Sequence, residues 1–197
     1  MAAFITLDEV KAQLNIPVNV TDDDAELNDY VEAACDMVES AVGPITSRTI
    51  TGEFVDLMGR TIFNELTTAG TRAFVLRWRP VQSIQSITSA ILAGVTYAPS
   101  EFIIDGGTGI VRRADGGTIF GPLVVSYTAG YDMPPGWARL AAKIIVQHLW
   151  GSQLGNSPGA LPSDDTQATD PAFGAGFAMP NRAAELLTPH LLTPGIG

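Results

Sequence analysis

The stretch "WARLAAKIIVQHLW", Trp137 to Trp150, limits the possible folds of this chain more than any other. It makes about four helical turns and carries apolar residues on nearly every face, so other elements must cover it from several sides. Its entrance is just as constrained. Upstream, "GPLVVSYTAG" has the β-branched and aromatic content of a strand. Between them lies "YDMPPGW". A residue before proline is pushed out of the α region, which extends Met133 and Pro134, while Pro135 suits the first helical position. Residues 126–137 are therefore expected to form a rigid strand-to-helix corner around Gly130. The sequence places Trp137, Leu140, Ile144 and Leu149 in the core, with Tyr127 or Tyr131 packed beside the start of the helix.

Two helices are expected upstream. Thr6 with Glu9 forms a capping box that opens "LDEVKAQL", which stops before Pro17. Thr21 with Asp24 suggests the same device for "DDDAELNDYVEAACDMVESAV", which Gly43-Pro44 ends. Leu27, Val31, Ala34, Val38 and Ala41 recur at three- and four-residue spacing and predict one buried face. Asp22, Asp23, Asp24 and Glu26 crowd the first turns, where the helix dipole favours negative charge.

From Ile45 to Thr128 the pattern changes to short strands: "TITGEFVDL", "RAFVLRW", "VQSIQSITSA", "EFIID", "GIVRR" and "LVVSYTAG". "IIDGGTGIV" predicts a hairpin through Asp105-Gly106-Gly107, and "RRADGGTIF" a second glycine turn. After Gly151 the composition turns to Gly, Pro, Ser and Ala without periodicity, ending in "NRAAELLTPHLL". The expected class is α+β. Two N-terminal helices, a β-rich middle and one central apolar helix follow in that order, with an extended C-terminal arm. The segments are 1–44 (N-terminal helices), 45–131 (insertion), 132–153 (core helix) and 154–197 (flexible arm).

The chain has 197 residues and a net charge of −10, unevenly spread. Residues 1–45 hold ten acids and one lysine, whereas residues 46–128 hold seven arginines and six acids. An acidic chain does not gain from releasing phosphate counterions, which argues against tight nucleic-acid binding. The start "MAAFITLDEVK" lacks a basic n-region, and no run approaches the ~20 apolar residues of a membrane span. Neither a signal peptide nor membrane contact is expected. The single Cys35 suits a reducing cytoplasm.

No catalytic constellation emerges. With two histidines and one cysteine, no Cys/His metal cluster assembles. Neither His148 nor His190 lies near a nucleophile elbow, and His148 is expected to be a packing or capping residue. "DDDAELNDYVE" superficially resembles a calcium loop, but Leu27 occupies the position of the required glycine. "GGTG" and "GAG" are turn chemistry or flexible chain. No cofactor or metal site is expected. Arg72, Arg77, Arg79, Arg112 and Arg113 make either an ordinary solvated strand face or a patch that pairs with a neighbouring subunit's acidic helix. A nucleic-acid groove is the weakest reading, because Trp78 is the one tryptophan among these arginines.

The order of these elements resembles that of the head–tail connector (adaptor) proteins of long-tailed bacteriophages. The likeness rests on "ITLDEVKAQLNI" with "DDDAELNDYVEAACDMVES", on "RPVQSIQSI", and on "YTAGYDMPPGWARLAAKIIVQHLW" with "MPNRAAELLTPH". The chain departs from that family after the last helix, where "GSQLGNSP" is neutral. The resemblance implies a small helical bundle, of the two N-terminal helices and the central apolar helix, that bears a β-rich insertion, in a non-enzymatic virion protein made in the host cytoplasm. It would form a twelve-fold ring in the neck, between the portal and the stopper or tail-completion protein, around a channel through which DNA passes without specific binding. The arm is then the expected portal contact, through Phe177, Met179, Arg182, Leu186, Leu187, Leu191 and Leu192. Arg112 and Arg113 are expected to pair with Asp22, Asp23 and Asp24 of a neighbouring subunit. Other readings are an acidic soluble inhibitor that mimics DNA and, less favoured, a small enzyme.

Overall fold

The structure, a computed structural model, describes residues 3–55, 71–90, 95–120, 122–153 and 179–192. It combines helices with antiparallel sheets in an α+β fold. Contacts divide the chain into two compact units, Met1–Val42 with Pro134–Leu191, and Gly43–Met133 with Leu192–Gly197.

The first unit is helical. α1 (Leu7–Leu14) begins with both halves of the capping box. The Thr6 hydroxyl accepts from the Glu9 N–H at 3.3 Å, and the Thr6 N–H donates to Glu9 Oε2 at 3.1 Å. α2 (Asp24–Val42) starts too late for Thr21 to repeat that device. It buries Leu27, Val31, Ala34, Cys35, Val38 and Val42, the expected face apart from Ala41. α3 (Gly136–Gln153) packs against α1, α2 and a fourth helix, α4 (Asn181–Leu187). Glu9 and Arg139 form an ion pair between α1 and α3. Lys11 is almost wholly buried; its ammonium pairs with Asp24 and donates to the carbonyls of Val20 at 2.7 Å and Val18 at 3.3 Å.

The buried face of α3 differs from the expected one by a single position. Ala138, Ala141, Ala142, Ile145 and Val146 are fully buried. Trp137, Ile144 and Leu149 are only half-buried, and Leu140 is 37% exposed. One residue is 100° around a helix. A helix that is apolar all round does not name its own inner face, and small alanines let neighbouring helices approach most closely.

The second unit contains two antiparallel sheets. The larger has β1 (Arg48–Val55), β7 (Leu123–Ala129), β3 (Val81–Ser89) and β4 (Thr96–Tyr97) in that spatial order. The smaller has β2 (Ala73–Val75), β6 (Ile110–Arg113) and β5 (Phe102–Asp105). Among the described residues each expected strand is found, and the short β4 is the one strand not anticipated. Leu123, Val125, Tyr127 and Ala129 alternate inward along β7 and meet Phe74, Phe102 and Val111 of the smaller sheet in one core. The Phe74 and Phe102 rings pack edge-to-face at 6.3 Å.

The end of β7 depends on Gly130, at φ +112°. Its N–H donates to the Pro80 carbonyl at 2.9 Å, and the next residue, Tyr131, bridges Thr46. A Cβ at Gly130 would stand 2.3 Å from the Thr46 carbonyl oxygen, so only glycine lets the two backbones approach this closely. The glycine turns also form as expected. Asp105 Oδ1 accepts from the Gly107 N–H at 3.2 Å, and Asp115 Oδ1 from the Gly117 N–H at 2.8 Å.

A polar group is built into the β core. The Tyr127 hydroxyl donates to Glu53 and accepts from the Trp78 N–H at 3.1 Å, while Glu53 also accepts from the Arg77 N–H at 3.0 Å. Burial, with the hydrogen bond to Glu53, raises the Tyr127 phenol well above the usual tyrosine value. The folded chain therefore holds this proton at pH values where the unfolded chain has released it. The stability linked to it is complete below about pH 10 and falls as pH rises above that. Urea midpoints measured from pH 8 upward are expected to show this alkaline loss, and Tyr127→Phe to reduce it. An unchanged alkaline slope in the variant would contradict this assignment.

Candidate assembly surfaces

Strand alternation separates the two neighbouring arginines of β6. Arg113 turns inward and is half-buried, paired with Asp115 at 2.8 Å and Glu101 at 3.5 Å. The Gly117 N–H, together with the Arg113 charge, holds the Asp115 carboxyl below its usual range. Arg113 is thus engaged by Asp115 and Glu101 of its own chain. Asp24 is engaged likewise, by Lys11. Arg112, Asp22 and Asp23 are exposed. The exposed side of α2 extends their charge through Asp29, Glu32 and Asp36, one helical turn apart or nearly so.

Arg112 lies on the outer face of the smaller sheet. The pairing register sets Ala73, Arg112 and Ile103 in one row, and Val75, Ile110 and Asp105 in the next. Val75 is 59% exposed, Ile103 48% and Ile110 38%. These three were missed as candidates. For Val75 and Ile103 the signal was present in the apolar triplets "FVL" and "FII", because period-2 alternation must turn the middle residue away from the core, and Ile110 follows as the residue two before Arg112 on the same strand face.

The C-terminal segment differs from a wholly loose arm. Ala183 and Leu187 are buried in the helical unit, where α4 packs on α3. The His190 ring stacks on Trp137 with centroids 3.9 Å apart and planes 8° from parallel. Leu187 is therefore a core residue, because its four-residue spacing from Ala183 gives α4 an apolar face that matches the small residues of α3. Arg182 and Leu191 are exposed, and Leu186 and Leu192 half-buried. Met179 joins Asp36, Met37, Ser40 and Ala41 around a shallow hollow of about 570 Å³. Phe177 lies outside the described residues.

Among the described residues, no group of three His, Cys, Asp or Glu side chains is placed to hold a metal ion, and no helix is long and apolar enough to cross a membrane. The calcium-loop likeness at residues 22–32 is an ordinary helix start, running on through α2. His148 is half-buried on α3.

Residues 4–66 match the model of the phage gp6-like head–tail connector protein family. That match takes in α1, α2 and β1. Comparison with curated proteins finds no match. Among solved structures, a chain of the "Neck of empty GTA particle computed with C6 symmetry" superposes with a TM-score of 0.56 at 16% identity. The alignment covers 98% of this chain and 94% of that one, and at this identity it is a likeness of fold. The resemblance to head–tail connectors drawn from the sequence therefore stands.

Proposed function

We propose that the chain is a structural subunit of a virion neck. It is a connector (adaptor) that forms a ring between the portal and the stopper or tail-completion proteins and extends the channel for the genome. The gp6-like connector match over residues 4–66 carries this reading. The near end-to-end fold likeness to a neck chain supports it, and C6 symmetry is compatible with twelve copies because six divides twelve. The subunit acts by position and needs no active site. A net charge of −10 suits a channel subunit, since an acidic wall repels phosphates and lets DNA slide.

The portal contact is assigned to the outward side of the C-terminal segment, with Arg182 and Leu191 foremost and Leu186 beside them. Deleting residues 172–197 would also strip Ala183 and Leu187 from the core, so point substitutions give the cleaner test. Arg182→Glu with Leu191→Ser is expected to leave the melting temperature unchanged and to weaken portal binding at least about tenfold. Unchanged binding would move the contact elsewhere. The connector role is tested by measuring the mass of assemblies formed with a portal protein. A ring seated on the portal is expected, whereas a lone chain bound to a nuclease or polymerase would favour an acidic inhibitor.

A further inference from the structure

We infer that the outer face of the β2–β6–β5 sheet receives the exposed acidic side of α2 from a second copy of this chain. The inference rests on the ring reading and supplies its subunit interface. Sheets with one solvated face normally turn polar residues outward, yet this one presents Val75, Ile103 and Ile110 there while its inner face fills the β core. A contiguous exposed apolar patch of this kind marks an interaction surface. Arg112 stands in its middle, between Ala73 and Ile103. Asp105, at the end of the adjacent row, shares this face and partly offsets the Arg112 charge. A matching surface brings further carboxylates to Arg112 and comes close enough to cover the aliphatic side chains.

The chain itself provides such a surface. Residues 21–42 hold eight acids and no base. Of these, Asp29, Glu32 and Asp36 form the exposed stripe, with Ala25 and Ala33 alongside to permit close approach. A two-fold contact of sheet on sheet would instead bring the same patch, and its arginine, against itself. Pairing of two different patches is heterologous, the class of contact that builds a ring when its rotation closes. Apolar burial then supplies most of the affinity, while Arg112 and Glu32 set orientation and register.

Charge reversal with complementation tests the interface. Arg112→Glu and Glu32→Lys are made separately in the full chain, and association is followed by sedimentation and native mass measurement. The measurements use the free chain and, if it stays monomeric, portal rings as seed. Each variant alone is expected to keep its melting temperature and associate at least about tenfold more weakly than the wild type. Mixed one to one, they are expected to recover assembly with the two variants in equal numbers, because each mismatched surface then finds its opposite charge. Ile103→Glu is expected to abolish association without loss of stability. A substantial stability loss in monomeric Ile103→Glu would mean that the chain covers this face itself, and overturns the interface.

If the wild type assembles and either charge variant assembles equally well, the interface is wrong and the ring reading survives. The interface is equally wrong if Glu32→Lys alone is unaffected, which points to sheet-to-sheet contact, or if the mixture does not recover. If the wild type forms no higher assembly, alone or on portal rings, the ring reading fails as well.

Discussion

Gly130→Ala is expected to destabilise the β unit by about 2–6 kcal/mol, with roughly 1–3 from backbone strain and a similar amount from overpacking. Both contributions arise at one atom. At φ +112° an L-residue is strained, and the new Cβ would meet the Thr46 carbonyl oxygen at 2.3 Å and its carbon at 2.7 Å. Backbone atoms cannot rotate aside as a side chain can. Relief requires separating the strand that ends at Ala129 from the segment entering β1, at the cost of the bond from the Ser47 N–H to the Tyr131 carbonyl at 3.0 Å. Since a whole domain is stable by only about 5–15 kcal/mol, the variant should lose much of its margin in urea. A measured loss below about 1 kcal/mol would show that the two segments part easily.

Lys11→Met is expected to cost about 2–4 kcal/mol, toward or below the low end for breaking a buried ion pair. The discount follows from Asp24, whose side chain is 28% exposed and keeps some hydration when its partner is lost. The carbonyls of Val18 and Val20 lose their donor in the same step. Those two side chains are 60% and 38% exposed, so they do little to anchor the turn between α1 and α2. Amide exchange at residues 18–24 should accelerate more than elsewhere in the helical unit. Equal stability of Lys11→Met would mean that helix packing alone holds the turn.

The charged surfaces were only partly legible. Segregation of charge between the acidic N-terminal region and the arginine-bearing middle is a matter of counting. Which charges remain available is not. Arg112 and Arg113 are adjacent and chemically identical, yet one faces outward and the other is held by Glu101 and Asp115. Asp22, Asp23 and Asp24 are likewise equivalent in the sequence until Lys11 selects the last. Strand alternation could have separated the arginines, had the register been known. The choice among the aspartates depends on where a buried lysine ends.

Local chemistry determined the elements and their ends. Thr6 and Glu9 cap α1, the glycine turns join the strands, and Gly130 marks the corner, because these interactions lie within a few residues of chain. Packing between elements decided the rest. The apolar helix from Gly136 to Gln153 offers several equivalent faces, and its alanines became the core only because α1, α2 and α4 meet there. Leu187 had the composition of a loose arm around it and became a core residue once α3 gave its side chain a place. Burial is a property of two surfaces in contact, and the sequence of one element specifies only its own.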